Sequence, residues 1–183
     1  MTNRSKTFLY PACLTLAVVA AIAAFAAVAA AQTPQHIEAR LRGTQEVPAI
    51  SSTGHAFFQA TINSSGEDAT EIAWTMDYAG FGNSITQSHI HFAEPGVNGG
   101  IMIFLCSNIF NGPPGTPACP QGSGHLEGTI TSADVGAGAA AQGIGAGQFI
   151  KVLRAIRAGV SYANIHSTVY LAGEIRGQIS VVP

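Results

Sequence analysis

The chain has 183 residues, 47% of them apolar and only 10% charged, with 21 glycines and a formal net charge of −2. So sparse and balanced a charge excludes the basic field a nucleic-acid binder needs. The glycine content suits a β-rich domain with many turns.

The N-terminus comes first. "MTNRSK" carries Arg4 and Lys6 and no acid, an alanine-rich apolar run extends from Phe8 to Ala31, and "AAA" precedes Gln32. A basic n-region, an apolar h-region and small residues at the junction predict a signal peptide over 1–31, cleaved after Ala31. The run is also long enough to span a bilayer, but alanine is a weak membrane residue and the cleavage signal is good. Cys13 succeeds Pro11-Ala12 and lies in no lipobox. The rest, 32–183, is predicted to be one domain with a real core. It keeps six basic residues against ten acids. The expected location is secreted or periplasmic, with no nucleic-acid partner and no membrane association once the leader is removed.

Period-two patterning dominates residues 32–183. "IEARL" opens as a strand. "HAFFQATIN" puts Phe58, Ala60 and Ile62 on one face, and "EIAWTMDY" does so with Ile72, Trp74, Met76 and Tyr78. "SSGED" between them predicts a hairpin. "TQSHIHF", "GIMIFL" and "GHLEGTI" continue as strands, with "PGVNGG" supplying turn chemistry between the first two. "TSADV" predicts a helical turn capped by Ser132. "GAGAAAQGIGAG" reads as a mobile low-complexity loop. "GQFIKVLRAIRAG" predicts a helix with Phe149, Val152 or Leu153, and Ile156 on its buried side. Lys151, Arg154 and Arg157 face away, and Gly159 stops it. "SYANIHS" and "GEIRGQISVV" close the chain as two strands. The class expected is all-β: a Greek-key β-sandwich or barrel of about eight strands with one short helical insertion.

Beyond the leader two cysteines remain, Cys106 and Cys119. An even count in an exported chain predicts a disulfide between them, around the Pro- and Gly-rich stretch 107–118; free thiols or a metal pair are the alternatives.

The chemistry-bearing residues emerge from parity. In "SHIHF", Ile90 and Phe92 share one face and His89 and His91 the other. In "SYANIHS", Ala163 and Ile165 oppose Tyr162, Asn164 and His166. In "GEIRGQISV", Ile175, Ile179 and Val181 oppose Glu174 and Arg176. If these strands are neighbours, one face carries His89, His91, Tyr162, Asn164, His166, Glu174 and Arg176, turned away from the core. Three readings stay open: a three-nitrogen site for copper or zinc at His89, His91 and His166, a buried hydrogen-bonded network, or a binding surface. Asn63-Ser64-Ser65 is a glycosylation sequon. No catalytic set is predicted: there is no Ser-His-Asp arrangement, phosphate-binding glycine motif or carboxylate pair.

The stretches "LRGTQEVP", "SHIHFAEPGVNGGIMIFL", "GTITSADV", "YANIHS" and "GEIRGQI" together resemble the CHRD domain, the module of chordin and of many bacterial secreted proteins. The resemblance spans nearly all of 32–183 and implies an extracellular β-rich module with no secure activity in stand-alone members. Ser167 and Leu171 depart from the family pattern, which usually has Thr and often Pro at those places. The cysteine-rich repeats of chordin are absent, so growth-factor antagonism does not carry over. More remotely, the order of His89, His91 and His166 is similar to the copper ligands of Cu/Zn superoxide dismutase, without its zinc-loop residues. The function expected is a non-enzymatic binding or structural module with an unidentified protein or matrix partner. The alternative is a copper- or zinc-binding periplasmic protein of redox character.

Overall fold

The computed structural model describes residues 33–183; the predicted leader and its expected cleavage point lie outside the described residues. Among those described, nine strands and one α-helix run in order: β1 (Gln35–Arg42), β2 (His55–Ile62), β3 (Ile72–Ala79), β4 (Ile85–Phe92), β5 (Gly100–Ser107), β6 (Gly124–Ile130), α1 (Phe149–Arg157), β7 (Ser161–Ser167), β8 (Ile175–Gln178) and β9 (Ser180–Val181). They form one antiparallel, nearly closed barrel-like sheet in the order β5-β4-β7-β8-β1-β2-β3-β6, with β9 also on β1. The all-β class with one helix is therefore as expected.

Alternation sets the core. In the β2–β3 hairpin, Phe58 faces Met76, Ala60 faces Trp74 and Ile62 faces Ile72, and all six are buried. Their inward parity is the one read from the sequence. The helix adds Phe149, Val152, Leu153, Ala155 and Ile156 to the same core. It ends as predicted, with Gly159 at a positive φ of 70° that a side chain would strain.

Three local expectations change. The stretch 136–147 is packed rather than a free loop. Ala139 and Ile144 are buried, and the Gln142 side chain donates to the Phe92 carbonyl and accepts from the Gly100 N–H. Thr131, not Ser132, caps the turn after β6, in a reciprocal box with Asp134. The last strand is interrupted at Ile179, whose N–H bonds the Ser161 carbonyl in continuation of the β7–β8 register.

Cys106 and Cys119 are joined as a disulfide. The loop it closes is also tied inside: the Asn108 amide donates to the carbonyls of Ile85 and Cys119. Closing a loop of this size contributes about 3 kcal/mol in the chain-entropy model.

Candidate metal centre

β7 is the middle strand of the site. It pairs with β4 so that His89 lies opposite Asn164 and His91 opposite Tyr162, and with β8 so that Asn164 lies opposite Arg176. The parity argument thus brings His89, His91, Tyr162, Asn164, His166 and Arg176 onto one sheet face. The face is not solvated, however. His89 is 0% exposed, His91 7% and His166 6%. Three irregular segments cover it, around 43–50, 97–99 and 171–173. They reach it through backbone carbonyls, which no side-chain period announces.

Those carbonyls fix where the imidazole protons sit. A carbonyl can only accept, so His91 Nδ1–H donates to Gly99 O at 2.9 Å, and His166 Nδ1–H donates to Leu171 O at 2.9 Å. Both Nε2 lone pairs then point inward. A ring nitrogen pinned in this way is the usual companion of a metal-ligating histidine. Gly99 has to be glycine, since a Cβ there would run into the Phe92 carbonyl oxygen.

His89 Nδ1 lies 3.3 Å from His166 Nε2, and one nitrogen from each of the three histidines falls within 4.8 Å of the others. The Asn164 amide sits among them. Its Nδ2 donates to His166 Nε2 at 2.8 Å, while its Oδ1 is 3.2 Å from His91 Nε2. The Phe104 ring stands edge-on to His89 at 4.5 Å between centroids.

A stack leads away from the histidines. His91 lies flat against Tyr162, with centroids 4.7 Å apart and 2° between planes. The Arg176 guanidinium carbon lies 4.3 Å over the Tyr162 ring. Arg176 also donates to Gln45 O at 2.8 Å, and to Val97 O and Asn98 Oδ1 at 3.1 Å each. Neither Arg176 nor Glu174 bonds a histidine. Glu174 accepts instead from Ser52 Oγ at 2.7 Å. Phe104 reaches the site as the β5 partner of His89, whereas Glu46, Ser52 and the Gly99 and Leu171 carbonyls belong to it but lie outside the strands and obey no periodicity in the sequence. Among the described residues, His89 Nε2, Glu46 Oε1, Glu174 Oε2 and one Arg176 nitrogen are buried without a hydrogen-bond partner in the protein.

Burial governs the charge. Desolvation, reinforced by the neighbouring imidazoles, pushes His89 down to about 2. Desolvation is also the main cause that holds His91 at about 4 and His166 below its ordinary value. All three are neutral at pH 7, the form that binds metal. Glu46 goes the other way: burial raises it to about 7 despite the pull of Arg176.

The metal-free protein should therefore lose stability in acid. On unfolding, each histidine regains a value near 6.5 and takes up a proton below it, so the stability it contributes is present above pH 6.5 and is lost as pH falls toward the folded-state values. Glu46 has a folded value of about 7 and an unfolded value near 4.5, so its effect has the opposite sign across that window. Three histidines outweigh one carboxyl. The melting temperature of chelator-treated protein should fall between pH 6.5 and 5, and Glu46→Gln should steepen the fall. A melting temperature that rose on acidification would contradict the buried neutral imidazoles.

The arrangement suits an ion better than an organic molecule. An open groove lies on the outer face of β1–β3 and β6, lined by residues such as His36, Glu38, Thr75 and Glu127, and touches none of the three histidines. Compared with known proteins, residues 37–179 match the family described as the CHRD domain. No curated protein matches. No solved structure matches, so the likeness to Cu/Zn superoxide dismutase rests on the order of the histidines alone.

Proposed function

The chain belongs to the CHRD domain family, and we propose that it is a non-enzymatic, exported β module, secreted or periplasmic, that holds one copper or zinc ion on His89, His91 and His166. The observation that carries the metal reading is the convergence of three neutral imidazole nitrogens within 4.8 Å, two of them on rings pinned by carbonyls on the far side. Nitrogen ligands of this kind suit copper and zinc and give hard cations such as calcium or magnesium no oxygen cage. Export is supported by the leader-like sequence of residues 1–31 and by the disulfide, which persists in oxidising compartments. No helix among the described residues is long and apolar enough to cross a membrane.

A purely structural network is the second reading, favoured by the 2.8 Å bond from Asn164 to His166. Metal analysis of tag-free protein purified from its own exported fraction separates the two. The metal reading expects close to one copper or zinc per chain, and mass spectrometry of the same sample should show a start near Gln32. Protein that takes up neither metal, even on titration, defeats the metal reading. Recovery of the chain in membranes with residues 1–31 attached defeats the export reading.

A further inference from the structure

We infer that Asn164 is the residue that regulates metal entry: its side-chain amide competes with the ion for the ligand lone pairs and thereby sets how tightly the site binds. This inference rests on the metal reading of His89, His91 and His166.

With Nδ1–H of both His91 and His166 committed to carbonyls, each Nε2 of a neutral ring offers only a lone pair. Asn164 meets both lone pairs with one amide. It donates to His166 Nε2 at 2.8 Å and so presents its oxygen to His91 Nε2 at 3.2 Å, an acceptor facing an acceptor. Turning the amide over moves the mismatch to His166 without removing it. Asn164 itself is 2% exposed, so water competes poorly for its amide.

An ion on the three histidines takes the His166 lone pair that the amide occupies. The bond from Asn164 therefore exists only without the ion, and an interaction confined to the ion-free form lowers affinity by its own worth. It also keeps weakly held ions out, since they must displace it.

The test is calorimetric titration of wild type and Asn164→Ala with zinc chloride and with copper(II) chloride. Asn164→Ala is expected to bind about tenfold tighter, the worth of one buried hydrogen bond, while melting lower when metal-free. A merely structural residue would shift affinity in the opposite direction. Should the variant fold poorly, the same point is read in ¹⁵N-labelled wild type, where zinc should move the Asn164 side-chain amide resonance to that of a free amide. Equal or weaker binding by a folded Asn164→Ala, or an amide resonance unmoved by bound zinc, overturns the inference and leaves the proposed function standing. Binding by the variant alone supports the inference, and binding by neither protein overturns both.

Discussion

On the metal reading, chelation is expected to lower the melting temperature of the metal-loaded protein by about 10 °C, and His91→Ala to abolish that response. A ligand that binds the folded state alone stabilises it by about 4 kcal/mol when present at a thousand times its dissociation constant. For a domain of about 150 residues that corresponds to a shift of this size. His91 is one of the two rings whose Nε2 is fixed inward by a carbonyl, so its removal takes away a ligand without disturbing the apolar parity of β4. The substitution also leaves the stacked Tyr162 face bare, which costs stability whether or not metal is present. The response to chelator is therefore the decisive readout, measured by thermal melts with and without EDTA. Equal melting of wild type in the two buffers, with His91→Ala lower in both by the same amount, identifies a structural network instead.

Arg176→Ala should cost about 3–5 kcal/mol, because it leaves several buried oxygen acceptors unpaired at about 1–3 kcal/mol each. The guanidinium is 3% exposed and ties two covering segments to the sheet, one through Gln45 O and the other through Val97 O and Asn98 Oδ1. It also covers Tyr162 and is the charge that pulls the Glu46 carboxyl down. Without it, Glu46 should titrate above its present value of about 7, and the covering segments lose their anchor. Arg176→Lys restores the charge but not the flat fork, so it should recover less than half of the loss. Denaturant unfolding measures the stability, and NMR titration of the Glu46 carboxyl measures the shift. An Arg176→Ala protein within 1 kcal/mol of wild type (about fivefold in the folding equilibrium) would show that the covering segments hold without it.

Side-chain parity alone makes much of this site legible. It puts His89 and His91 of β4, Asn164 and His166 of β7 and Arg176 of β8 on the face opposite Ile90, Ile165 and Ile175, and the sheet brings the three strands together. What buries the face is not legible, because parity says which side a residue faces and not what lies on that side. The covering segments hold the face through the carbonyls of Gln45, Val97, Gly99 and Leu171, and a carbonyl is the same in every residue. Glu174 shows the limit of the rule. It shares the parity of Arg176, but it precedes the strand proper and turns to Ser52. The helix is readable for the opposite reason, since its apolar stripe at Phe149, Val152, Leu153 and Ile156 is a side-chain signal throughout.

The strand order carries a consequence for when the site comes into being. Its two histidines on β4 and its third on β7 are separated by 77 positions between His89 and His166, and they meet only through the β4–β7 ladder. The crossover that puts β7 there also makes β8, near the C-terminus, its other neighbour. Until β7 has docked on β4, the three nitrogens of this site are not together. In an unfolded chain His166 is remote from the two β4 imidazoles, so on the metal reading a three-nitrogen site exists only once β7 has docked on β4.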